Sequence, residues 1–177
     1  MMEVAKISEK TLNYIKAITS ANGNYYIENE KYNSPENAEA FEEWLKEQPK
    51  SDGITLYRGY CFEKLYWEDI GMTEGDVIDM NALTQSDTPP AFTESLLRAV
   101  RYMREFGEGV NLSESVNVLF EIRTEGICFV DISRYSYYPE EGEYRFPKDS
   151  NFVVENITEK GGYKKIILKE KTKNKKR

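Results

Sequence analysis

Apolar residues recur at roughly helical spacing at the start of the chain, where Val4, Ile7, Leu12, Ile15 and Ile18 align and Ala21-Asn22-Gly23-Asn24 supplies a stop. This predicts a first helix. A second is predicted from Ser34, an N-cap residue followed by Pro35 at the first helical position and Glu36 in the first turn, with Ala38, Phe41, Trp44 and Leu45 along one side. Pro49 to Gly53 is a breaker cluster that separates this helical part, residues 1–50, from the remainder of the chain. Ile54-Thr55-Leu56-Tyr57-Arg58-Gly59-Tyr60 is then rich in strand formers and carries an arginine and a glycine near its end. Gly75-Asp76-Val77-Ile78-Asp79 leads through a polar, proline-containing stretch to Ala91-Phe92-Thr93-Glu94-Ser95. From there Leu96, Val100 and Met103 trace a helix facing the core, with Thr93 or Ser95 as its cap and Gly107-Glu108-Gly109 as its end. Five short strands are expected beyond it, over 116–122, 127–132, 143–146, 151–154 and 164–168. Helices first and strands clustered after them, without alternation, indicate an α+β domain with a mostly antiparallel sheet system.

A chain of 177 residues suits one domain with a real core, expected over 1–168 and followed by a basic tail over 169–177. The tail holds six basic residues and one acidic one, which leaves the body with 30 acidic against 18 basic groups. A body that acidic repels phosphate backbones, so general nucleic-acid binding is disfavoured, and the tail reads as a solvated end. The chain has no histidine, which removes Ser-His-Asp and Cys-His nucleophile pairs, histidine zinc sites and histidine general bases. Cys61 and Cys128 stand alone, so neither a disulfide framework nor a metal site is expected. No apolar run approaches the roughly 20 residues a spanning helix needs. The expectation is a soluble, cytoplasmic protein without a membrane partner.

One stretch stands out, Glu141-Gly142-Glu143-Tyr144-Arg145-Phe146-Pro147. As a strand entered from a tyrosine-rich loop, it puts Glu141 and Glu143 on one face and Tyr144 and Phe146 on the other. Two carboxylates would then meet one substrate while the aromatic pair anchors the strand. Alone, such a pair is more often an acidic loop running into a strand. Arg58 has two readings as well, a surface charge or a fork that holds a pyrophosphate bidentately.

The order of these pieces resembles the Arg-Ser-Glu class of mono-ADP-ribosyltransferases. Leu56-Tyr57-Arg58-Gly59 is similar to that family's first motif, and Glu141 to Phe152 to its last. Phe92-Thr93-Glu94-Ser95 followed by Ala99 looks like its Ser-Thr-Ser motif, and resembles the Phe-Thr-Thr-Ser version in the Mod enzymes of tailed bacteriophages. The resemblance covers about Ile54 to Lys169. It departs in the triplet, where Glu94 adds a charge, and in the stretched interval from Gly75 to Phe92, which leaves Thr84-Gln85-Ser86 as a rival triplet.

The resemblance implies N-terminal helices packed on two small, mainly antiparallel sheets around a cleft for NAD, the substrate. Arg58, with Gly59, would grip the pyrophosphate. Glu143 would stabilise the positive charge that develops on the ribose as nicotinamide leaves, and Thr93 and Ser95 would orient it and hold the ribose. Phe106 is a candidate to stack on nicotinamide or a core residue. Glu141 would serve an arginine acceptor, since in this family Glu at that position accompanies arginine modification. The loop from Arg134 to Glu140, with Tyr135, Tyr137 and Tyr138, would shape acceptor recognition or simply pack against the strands. The function implied is NAD-dependent transfer of ADP-ribose to arginine side chains of a bacterial target protein, by a phage enzyme or a bacterial effector. The alternatives are an NAD glycohydrolase, a non-catalytic NAD- or partner-binding module of the same fold, and transfer to nucleic acid.

Overall fold

A computed structural model of the chain describes residues 7–19, 32–86, 88, 90–107 and 114–171. Two helices open it, α1 (Glu9–Thr19) and α2 (Pro35–Glu47). Val4, expected in the first helix, lies outside the described residues. The second helix starts where expected, with the Ser34 hydroxyl accepting from the Asn37 backbone N–H at 3.2 Å. Tyr14, Ile15, Phe41, Trp44 and Leu45 of these helices bury against Val130 and Ile132, so the helical part sits on one end of the sheet.

The rest of the chain runs β1 (Asp52–Glu63), α3 (Lys64–Ile70), β2 (Val77–Ile78), α4 (Met80–Thr84), β3 (Phe92–Thr93), α5 (Leu96–Gly107), β4 (Ser115–Glu125), β5 (Val130–Asp131), β6 (Glu143–Arg145), β7 (Phe152–Lys160) and β8 (Tyr163–Glu170). Short 3-10 turns occupy Ser133–Tyr135 and Pro139–Glu141. Hydrogen bonding joins the strands in the order β2-β7-β8-β4-β1-β3-β6-β5. Every neighbouring pair is antiparallel except β4 and β8, which run parallel. The two expected sheets are thus linked into one ladder, but only through a single residue pair, Tyr57 opposite Thr93. That junction is a seam between a five-stranded and a three-stranded part.

Edge-on phenylalanines bind the two parts from within. Phe92 meets Phe129 at 5.1 Å between ring centroids, Phe129 meets Phe146 at 5.2 Å, and Phe146 meets Phe152 at 5.1 Å. Each such contact stabilises by about 0.5–1.5 kcal/mol beyond the area it buries. Leu96, expected in the core, is instead exposed, and Ala99 and Met103 carry the buried face of α5 against Leu119. The last strand runs to Glu170, two residues into the expected tail, for a definite reason. The buried Glu170 carboxylate accepts from the backbone N–H groups of Glu125 at 2.5 Å and Cys128 at 3.1 Å, closing the turn between β4 and β5. Residues 172–177 lie outside the described residues. Among the described residues, no helix is long and apolar enough to cross a membrane.

Candidate active site

The seam between the two parts of the sheet opens into a cleft lined by Tyr57, Arg58, Ala91, Phe92, Thr93, Arg98, Tyr102, Glu141 and Glu143. Pairing of β1 with β4 puts Arg58 opposite Phe120, one residue beyond the seam. Its guanidinium lies over the rings of Tyr60 and Tyr102, 5.9 and 5.8 Å from their centroids. Burial, and next the guanidinium of Arg145, push its pKa down to about 10, so it stays charged at neutral pH. Gly59, expected to contact the cofactor, packs against α5. A Cβ there would sit 1.8 Å from the carbonyl oxygen of Ala99, so the bare glycine lets α5 lie directly on β1.

The two glutamates reach the cleft by different routes. Glu143 opens β6 and is buried, and Tyr144 and Phe146 bury on the opposite side as expected. Glu141 is not on that strand. Pro139 starts a 3-10 turn that Glu141 ends, and Gly142 follows at φ 56° in the left-handed region, redirecting the chain into β6. The carboxylates therefore do not share a strand face, but the turn still delivers Glu141 to the same cleft. Burial first, and the charge of Glu143 among its neighbours, raise the Glu141 pKa above the ordinary carboxylate range. The Tyr102 hydroxyl, which donates to Glu141 Oε2 at 3.2 Å, and the Arg98 guanidinium, 3.6 Å from Oε1, act in the opposite direction. Burial pushes Tyr102 up to about 12, so it remains a donor.

The hydroxyls have divided duties. Thr93 pairs with Glu143 across β3 and β6, but its hydroxyl donates to the Glu141 carbonyl at 2.6 Å and so secures the turn that carries Glu141. Ser95 caps α5, its hydroxyl accepting from the Arg98 backbone N–H at 3.2 Å. Thr84 and Ser86 lie around the end of α4, where their hydroxyls donate to the carbonyls of Met80 and Thr88 at 2.8 and 2.6 Å. Neither lines the cleft. Glu94, the odd residue of the triplet, accepts from the Tyr144 hydroxyl. Phe106 falls within α5, and its side chain lies outside the described residues. In the tyrosine loop, Tyr135 packs edge-on to Trp44 at 5.5 Å, whereas Tyr137 is exposed and its ring lies tilted against that of Tyr138 at 6.2 Å.

Sequence reasoning passed over three side chains. Arg145 donates from Nε to Glu143 Oε2 at 2.9 Å in a pair whose side chains are only 7% and 8% exposed. It also donates to the Ile18 carbonyl at 3.3 Å, tying the end of α1 to the site. The two-residue strand period that relates Glu143 to Arg145 was a usable signal. Arg98 and Tyr102 stand one helical turn apart on α5, and that spacing alone would have put them on a common side.

No family model and no curated protein matches the chain. Solved structures do, beginning with the Vis toxin, an ADP-ribosyltransferase from Vibrio splendidus, at 17% identity, with 93% of this chain and 68% of that one covered and a TM-score of 0.57. The fold is that of the ADP-ribosyltransferases. Plx2a, an ADP-ribosyltransferase toxin from Paenibacillus larvae, matches at 17% identity over 94% of this chain and 88% of its own, with a TM-score of 0.56. The C3 exoenzyme of Clostridium limosum matches at 11% identity over 94% and 87%, with a TM-score of 0.59. Vis is also seen in complex with agmatine, a small guanidinium compound. Across this ADP-ribosyltransferase fold, the cleft described above is the seam where Arg58, Thr93, Glu141 and Glu143 meet.

Proposed function

We propose that the chain transfers ADP-ribose from NAD to an arginine side chain of a target protein in a bacterial cell, releasing nicotinamide. The observation that carries this reading is the convergence of two carboxylates and a partly buried guanidinium on one cleft, within an ADP-ribosyltransferase fold. Arg58, which lines the cleft, offers a guanidinium fork that suits a pyrophosphate. Glu143 has one oxygen engaged by Arg145, which leaves the other for a ribose hydroxyl. A carboxylate fixed in this way stabilises positive charge on the ribose more than it stabilises bound NAD, which is what accelerates loss of nicotinamide.

Glu141 is the acceptor-side carboxylate. An arginine side chain is protonated in water, with a pKa of roughly 12 or more, so it attacks only beside a base. Burial makes Glu141 a stronger base than an ordinary carboxylate and brings its pKa closer to neutral. Thr93 keeps it in place through its backbone carbonyl. The agmatine complex of Vis supports a guanidinium acceptor for this fold. Phe106 is proposed as the stacking partner of nicotinamide, and the exposed Tyr137 as part of the surface that meets the target.

The test is to incubate the protein with isotope-labelled NAD and a bacterial lysate and to map modified residues by mass spectrometry. Label on arginine residues of protein is the expected result. Nicotinamide release without labelled protein would favour a glycohydrolase, NAD binding without release a non-catalytic module, and label on nucleic acid a different acceptor class.

A further inference from the structure

We propose that Arg98 occupies the acceptor position of the cleft and is itself modified, so that the chain ADP-ribosylates its own Arg98 in cis. This rests on the reading of Glu141 as the acceptor-side carboxylate. Three observations converge. The Arg98 guanidinium lies 3.6 Å from Glu141 Oε1, in the place a target arginine must take to reach that base. Its side chain is 34% exposed and that of Glu141 22%, so the pair sits at the cleft wall and not on open surface. The other oxygen, Oε2, is taken by the Tyr102 hydroxyl at 3.2 Å, so an incoming guanidinium has Oε1 as its seat, which Arg98 already fills.

The backbone brings the start of α5 close to the base. Ser95 caps α5 at the Arg98 N–H, and Thr93, two residues before that cap, holds the Glu141 carbonyl. Helix start and acceptor turn are thereby locked to each other. The raised pKa of Glu141 suits it to take a proton from Arg98. In the step, the bond between ribose C1′ and the nicotinamide nitrogen breaks and its electron pair leaves with nicotinamide. A new bond forms between C1′ and an Arg98 guanidinium nitrogen. The proton displaced from that nitrogen goes to Glu141 and then to solvent, and the product guanidinium keeps its positive charge.

The experiment uses the full chain with NAD and no added acceptor, with nicotinamide release and the site of any adduct measured in parallel. Expected are one ADP-ribose on Arg98, an initial rate per molecule that does not change on dilution, suppression by excess agmatine, and no adduct in E143Q. The wild-type mapping needs no variant to fold. R98K, checked by thermal melting, is expected to carry no adduct, because lysine offers Glu141 no guanidinium. Nicotinamide release with Arg98 unmodified, or with adducts only elsewhere, overturns this inference and leaves the transferase reading standing. Modification whose rate per molecule falls on dilution overturns the cis placement. Absence of nicotinamide release removes both.

Discussion

Replacing Arg145 by methionine tests the most buried charge pair of the site. Methionine fills similar volume but leaves Glu143, whose side chain is 8% exposed, without the guanidinium 2.9 Å away. Removing one partner of a buried ion pair costs about 3–5 kcal/mol. At roughly 2–4 °C per kcal/mol for a chain of this size, the variant should melt about 6–20 °C lower at neutral pH. Thermal melts of R145M, of E143Q and of the double variant measure the loss. Most of the loss should vanish when both partners are replaced, giving a large coupling energy. Additive single effects would refute the pairing and leave Arg145 acting through its other contacts, among them its bond to the Ile18 carbonyl.

G59A should be among the most damaging small substitutions, because the added Cβ meets a backbone carbonyl at 1.8 Å and no side chain can turn aside. A loss of about 3 kcal/mol is expected from such overpacking, and an unchanged melting temperature would mean that α5 does not rest on β1. Glu143→Gln should abolish both transfer and NAD hydrolysis, whereas Glu141→Gln should abolish transfer to arginine and leave hydrolysis; equal loss of both activities in both variants would end the division of roles. Transfer to agmatine should fall as pH drops through the raised Glu141 pKa while hydrolysis does not, since only the acceptor needs that base. Arg58→Lys keeps a charge but loses the planar fork, so calorimetry should show weaker NAD binding; unchanged affinity would make Arg58 a packing residue.

Elements held by local grammar were readable in the sequence. Ser34-Pro35-Glu36 announced α2, the β-branched and aromatic run announced β1, and Tyr144 and Phe146 bury as the two-residue period required. What local grammar missed depends on partners distant in sequence. Glu141 left its expected strand because Gly142 adopts a left-handed backbone, and nothing in Glu-Gly-Glu distinguishes that from an extended glycine. Glu170 looked like one more charge in a solvated tail, yet its carboxylate satisfies two backbone donors some 45 and 42 residues earlier. The packing at Gly59 was equally hidden, since its neighbour Ala99 lies 40 residues on, in a helix whose approach no pattern in β1 encodes. Thr93 lines the cleft and Ser95 caps α5, and which groups their hydroxyls bind followed only from the geometry of the turn and the helix start.

The position of β8 sets an order of events during synthesis. Although it comes late in the chain, it lies inside the ladder, with β7 on one side and a parallel β4 on the other. Until residues up to Glu170 have left the ribosome, β7 and β2 have no strand to join them to β4, and the carboxylate that closes the turn between β4 and β5 is missing. A nascent chain can form its N-terminal helices and the hairpin-like pairing of β1 with β4, but not the whole sheet on which the cleft is built. Growing chains would therefore lack the complete cleft, which can form only once β8 has been translated.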